Sequence, residues 1–166
     1  MLNNKISEKL IFSRKITFSK RFSNSEIKLY KYFQEKTGIF PENVIIQKNF
    51  IFFFVKNQHF FSVSNYVESI RKEIPNKKIL IIRTEKMLIL QIFSLFPDLY
   101  LHDVKIKSID SKKIVVSVYI LSFRDRGVAI GREGNYIKAV NELFKNSIKI
   151  EDSNLIFEIE CQVTIM

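Results

Sequence analysis

Arg124-Asp-Arg-Gly-Val-Ala-Ile-Gly-Arg-Glu-Gly-Asn-Tyr-Ile-Lys-Ala-Val140 is the stretch on which the fold turns. Gly131 and Gly134, two of the four glycines in the chain, stand three apart between two segments of helical character. A tight loop there lets main chain approach an anion with no Cβ in the way. The amides that open the following helix are unpaired within it and favour negative charge. Arg132 adds a charge-assisted partner. Tyr136, Ile137, Val140, Leu143 and Phe144 share the apolar face of the second helix, which leaves Asn135 and Lys138 towards the loop and solvent.

Working outward, Val104 to Ile109 and Ile114 to Tyr119 read as two strands around an Asp110-Ser111-Lys112-Lys113 turn. Gly127 to Ile130 is a helical turn, Asn135 to Lys145 a longer helix, and Ser147 to Ile150 a strand. Leu155, Phe157, Ile159, Cys161, Val163 and Ile165 then alternate with mostly polar neighbours, the period of a half-buried strand that can extend the same sheet. Before all of these, Thr84 is expected to cap a helix from Glu85 to Leu95, stopped by Pro97.

The same order occurs once earlier. Ser23-Asn24-Ser25-Glu26 forms a capping box, with Phe22 and Ile27 spaced as a hydrophobic staple, and Gly38 is the stop. Asn43 to Gln47 and Phe50 to Val55 follow as strands, Ser64 to Glu73 as a helix, and Lys78 to Ile82 as a strand. Helix, strand, strand, helical region, strand therefore repeats at about 65 residues. With a Gly-x-x-Gly loop between the helices, this is the order of a type II KH module, whose loop clamps single-stranded RNA. The expected fold is α+β: two tandem type II KH domains, each a three-stranded sheet covered by helices. The expected divisions are a basic arm at 1–22, a first module at 23–83 without the loop, and a second at 84–166 with the loop and an extra carboxy-terminal strand.

Val128-Ala-Ile-Gly-Arg-Glu-Gly-Asn-Tyr-Ile-Lys-Ala139 resembles the KH region of the NusA transcription factors, above all the short archaeal-type form made of two KH modules. The resemblance extends to Ile92-Phe-Ser-Leu-Phe-Pro97, to Val104 through Val118, and to Tyr30-Lys-Tyr-Phe-Gln-Glu-Lys-Thr-Gly38. It implies a single-stranded RNA-binding protein acting in transcription elongation, termination or antitermination beside an RNA polymerase. Ribosomal small-subunit KH proteins share the loop, so a structural or assembly protein of an organellar ribosome is the alternative. The residues expected to meet RNA are Arg124, Arg126, Val128, Ile130, Gly131, Arg132, Glu133, Gly134, Asn135 and Lys138. Gly131 and Gly134 would admit the backbone, Arg132 and Lys138 contact phosphates, and Val128 and Ile130 form an apolar wall under a base.

Two departures from that pattern matter. The first module reads Phe60-Phe-Ser-Val-Ser-Asn-Tyr-Val67 where glycines would stand, so it is expected to be structural or to face a protein partner. Phe52, Phe53, Phe54, Phe60 and Phe61 have the chemistry to stack bases, but aromatics on a strand and its edge favour the core. In the second module Glu133 sets a carboxylate beside the expected phosphate, which costs binding unless it turns to solvent.

The bulk numbers agree with a polyanion partner. The formal charge is +10 over 166 residues, and residues 1–22 carry Lys5, Lys9, Arg14, Lys15, Lys20 and Arg21 against Glu8 alone. That segment also has transit-peptide composition and is read as a retained arm. Phe, Ile, Asn, Lys, Tyr and Met dominate while Gly and Pro number four and three. Their A/T-rich codons point to an A/T-rich genome, that of an organelle (a plastid first) or of a reduced parasite. One cysteine, Cys161, and two distant histidines, His59 and His102, make neither a metal set nor a nucleophilic dyad. Glu42, Glu68, Glu73 and Asp103 form no acid pair, and no phosphate loop with Lys-Ser/Thr occurs. An enzyme, a cofactor, a metal, a small-molecule substrate and a membrane span are all outside the expectation.

Overall fold

A computed structural model describes residues 8–19 and 21–164 of the chain. It divides into two compact α+β units, residues 18–85 and residues 1–17 with 86–166. No helix among the described residues is long and apolar enough to cross a membrane.

In the unit of residues 18–85, helix α1 (Asn24–Thr37) begins where its capping box predicts. Ser23 Oγ accepts from the Glu26 amide at 3.1 Å, and the Ser23 amide donates to Glu26 Oε1 at 2.9 Å. Glu26 Oε2 also accepts from the Ile46 amide at 2.9 Å, so the cap residue fastens a sheet edge as well. Gly38, at φ 75°, closes the helix in the left-handed region. The staple differs from expectation: Ile27 is exposed, and the Phe22 ring instead approaches Tyr30, 6.1 Å between centroids.

Strands β2 (Asn43–Gln47) and β3 (Phe50–Val55) pair antiparallel, and β4 (Lys78–Arg83) joins β3 in parallel. A parallel neighbour needs a crossover, here supplied by α2 (Phe60–Ser64) and α3 (Val67–Glu73). The single helix expected over 64–73 is thus two, broken at Asn65 and Tyr66. Phe33 stacks on Phe53 at 4.6 Å inside a core completed by Val44, Ile51, Val63, Ile70 and Ile79. Phe52, Phe53 and Phe54 are wholly buried, which removes them as base-stacking surfaces.

The other unit repeats the strand pattern. β5 (Asp103–Ile109) pairs antiparallel with β6 (Lys113–Ile120), and β8 (Ile156–Val163) joins β6 in parallel. Asp110 Oδ1 accepts from the Lys112 and Lys113 amides, both at 2.8 Å, and so shapes the expected turn. Those two bonds, the Lys112 one first, hold its carboxyl below the ordinary value. Helices α5 (Phe123–Ile130) and α6 (Asn135–Asn146) form the crossover.

Three expectations need correcting here. The third strand of this sheet is β8, because its buried Phe157, Ile159 and Cys161 match the apolar face of β6 in register. Residues 148–150 do form a strand, β7 (Ile148–Ile150), but it pairs with β1 (Ile16–Phe18) in a separate two-stranded sheet. Second, Thr84 caps no helix. The Ile16 amide donates to Lys86 O and the Leu88 amide to Arg14 O, both at 2.9 Å. These bonds hold 86–88 extended and delay α4 (Leu88–Ser94) until Leu88. Third, the described part of the basic segment is no loose arm: residues 8–12 are helical, Ile11, Phe12 and Ile16 are buried, and β1 follows. Residues 1–7 and 20, with Lys5 and Lys20, lie outside the described residues.

Side chains protect both free edges of this sheet. Glu8 Oε1 accepts from the Ile106 amide at 3.1 Å on the β5 edge. On the β8 edge Asn141 acts as a surrogate strand: its Oδ1 accepts from the Ile159 amide at 2.7 Å and its Nδ2 donates to Ile159 O at 3.1 Å. Arg126 Nε donates to Cys161 O at 3.0 Å beside it.

Candidate functional site

The loop grows out of β6. Ser122 follows the strand in extended backbone, and its Oγ accepts from the Asp125 amide at 3.1 Å, which starts α5. Ala129 is the only residue of α5 that is fully buried. Phe123 and Val128 remain 75% and 56% exposed, so this helix offers an apolar surface to solvent where Arg124 also lies open.

Three of the next four residues have positive φ: Gly131 at 81°, Glu133 at 57° and Gly134 at 71°. The Gly131 amide closes α5 on Gly127 O at 2.9 Å, and the Gly134 amide donates to Gly131 O at 3.1 Å. The chain thereby reverses in a single 3-10 turn, Arg132–Gly134, and enters α6 at Asn135. Gly134 is the residue before the helix and brings no side chain to its free amides.

The two glycines do different work. A Cβ on Gly131 would stand 2.7 Å from Tyr136 Cβ and 2.9 Å from Tyr136 N. Tyr136 is immobile: it is buried, donates its hydroxyl to Leu95 O, and meets Phe96 edge-to-face at 5.9 Å. Burial raises its phenol pKa above the ordinary range. Gly131 is therefore required by the close approach of the protein to itself. Around Gly134 a Cβ would find only Lys138 Cε at 3.8 Å and Ile130 Cγ2 at 3.9 Å. That position is open, with a lysine stem on one side and an apolar wall on the other.

Of the residues singled out in the sequence, Arg124, Val128, Arg132, Glu133, Asn135 and Lys138 are exposed, and Ile130, Gly131 and Gly134 are partly so. Lys138 Nζ lies 3.4 Å from Glu133 O, over the loop. Arg126 is the exception: its Nε is spent on Cys161 O, so its first duty is to hold β8. Cys161 itself is buried, which pushes its thiol up to about 11. Glu133 sits on the solvent side, as it must if an anion is to approach.

Phe123 and Asn141 were missed. Phe123 lies six residues before Ala129, roughly 240° around the helix from the buried direction, and that spacing signals exposure. Asn141 carries no sequence signal, since its role depends on where β8 runs. Among the described residues no group of three His, Cys, Asp or Glu could hold a metal ion.

No family model matches the sequence, and no curated protein matches it. Among solved structures, the crystal structure of APE1850 is similar, with a TM-score of 0.62 at 18% identity. The match covers 85% of this chain and all of that one, a share that neither unit could supply alone. At that identity the likeness concerns the fold.

Proposed function

We propose that the chain binds single-stranded RNA through the loop 131–134, with each unit a type II KH module, and acts as a NusA-like factor beside an RNA polymerase. Both units order their strands one-two-three, antiparallel then parallel, with paired helices in the crossover, which is the arrangement the KH reading asks for. The observation that carries the RNA reading is the open Gly134 position. It sits in an exposed turn between Lys138 and Ile130, two residues after the exposed Arg132, and the α5 helix leading into it exposes Arg124 and Val128.

Each part has a chemical task in this reading. A phosphodiester approaches the main chain at Gly134 and the unpaired amides that open α6. Arg132 and Lys138 neutralise it, and its neighbours rest their bases on Val128 and Ile130. No step calls for an acid, a base or a metal, so the protein is read as a binder and not as an enzyme. The weight of residues with A/T-rich codons makes an organelle, a plastid first, the proposed compartment.

The ribosomal alternative drew on a basic arm threading into folded RNA. It also drew on the missing glycine loop of the first module, which still stands; residues 8–12 as helix and 16–18 as strand weigh against the arm alone. Fluorescence anisotropy with single-stranded and duplex RNA of equal length tests the binding. The single strand should bind tighter, and its log affinity should fall linearly with log salt. Equal affinity for both forms would reject the loop as the contact. Copurification separates the partners: a polymerase factor leaves ribosomal particles in high salt, and a structural subunit stays.

A further inference from the structure

Between β3 and β4, where the other unit has its glycine turn, the unit of residues 18–85 carries a different surface. A 3-10 turn, Asn57–His59, runs into α2, and no left-handed residue occurs there. Phe61 is 75% exposed and Tyr66 37%, while Val63 and Ile70 already fill the core beneath. A single exposed ring is ordinary on a protein surface, so a functional reading needs a partner for it.

Arg83, the last residue of β4, supplies one. Its guanidinium lies 4.3 Å from the centre of the Phe60 ring and 5.2 Å from that of Phe61. The two rings themselves meet edge-to-face at 5.7 Å. A flat cation against an exposed ring is the chemistry on which nucleobases stack. Gln58 and Asn65 add exposed amides that can address base edges. No carboxylate occurs from Lys56 to Val67. Acids do border the patch and are engaged: Glu68, next in sequence, pairs with Arg71 at 3.4 Å, Glu42 pairs with Lys56 at 3.6 Å, and Glu85 accepts from Asn57 Nδ2 at 3.1 Å.

We propose that Phe61 and Arg83 form a base-stacking station for single-stranded RNA, a second contact that works without a phosphate cradle. It rests on the reading of the whole chain as a binder of single-stranded RNA. The occupant is RNA and not an apolar protein face, because the ring is framed by a guanidinium and amides on a chain of charge +10. A station of this kind tolerates any base, since every base has a π-face.

The chain contains no tryptophan, so Phe61→Trp installs a single reporter on the patch. Oligouridine should quench it, and an abasic oligomer with the same phosphates should not. In anisotropy titrations Phe61→Ala should weaken oligouridine binding about five-fold or more. The dependence on salt should stay the same, because no cation is removed. Phe61→Trp should restore affinity and Phe61→Leu should not. Unchanged affinity in Phe61→Ala, while Gly134→Asp weakens binding, would remove the station and spare the loop. Full rescue by Phe61→Leu would mark the patch as a plain apolar contact and overturn the stacking assignment. Absence of any RNA binding by the intact protein would take down the wider reading, and this inference with it.

Discussion

Replacing Gly131 and Gly134 by alanine, one at a time, separates what the fold demands from what a ligand demands. Gly131 sits at φ 81°, ψ 171°, a region open essentially to glycine alone, where a side chain costs about 1–3 kcal/mol. Its new Cβ would also press within 3 Å of Tyr136 Cβ and N, and overpacking of that kind costs about 1–3 kcal/mol more. Gly131→Ala should therefore destabilise the unit by about 4 kcal/mol. Gly134 lies at φ 71°, ψ 16°, where alanine costs about 1–2 kcal/mol and recovers about 0.4–1 kcal/mol through the unfolded chain. With open space around it, Gly134→Ala should cost about 1 kcal/mol or less. Urea unfolding followed by pulse alkylation of Cys161, which is buried in this unit, reads both. Midpoints should move by about 2 M for Gly131→Ala and under about 0.5 M for Gly134→Ala, at a slope near 2 kcal/mol per M. If the two variants agreed within 1 kcal/mol, the division of labour between the glycines would be wrong.

Three further outcomes follow from the same geometry. Asn141→Leu strands the amide and carbonyl of Ile159 and should cost about 2 kcal/mol in the same assay; Asn141→Asp, which keeps the acceptor, should lose less. Burial holds the Cys161 thiol at about 11, above its ordinary value of 9.0. The unfolded chain then releases that proton first, so stability should fall as pH rises from 9 towards 11, and Cys161→Ala should flatten that loss. Glu133→Gln removes an exposed carboxylate from the loop that would carry the phosphate and should raise RNA affinity a few-fold, about 0.5–1 kcal/mol, most visibly at low salt.

Local signals in the sequence were enough for most elements. The capping box at Ser23, the stop at Gly38 and the strands 43–47 and 50–55 appear where propensity and capping put them. The errors fall where a distant partner outweighs a local preference. Thr84 looks like a cap, but the backbone of 86–88 is engaged by Arg14 and Ile16, far away in the chain. Residues 148–150 and 156–163 both alternate like strands, and only pairing decides which one completes the sheet: β6 takes the longer. The amino-terminal segment reads as a basic arm because its buried residues, Ile11, Phe12 and Ile16, are few among its lysines and arginines. In the candidate site, the loop glycines and the exposed cations were legible because a Gly-x-x-Gly between helices constrains the backbone directly. The unequal burdens on Gly131 and Gly134 were not, since they arise from the packing of Tyr136 on Leu95 and Phe96. The strand-edge role of Arg126 was hidden for the same reason.

The most direct test is ultraviolet cross-linking of the intact protein to a short single-stranded RNA, with the adducts mapped by peptide mass. Adducts should concentrate on the peptides carrying α5 and the loop 131–134, and Gly134→Asp should abolish them while leaving the unfolding free energy of the unit within about 1 kcal/mol of the parent. An undiminished adduct yield in Gly134→Asp, or adducts that avoid this loop altogether, would contradict the claim that RNA lies against the bare main chain at Gly134.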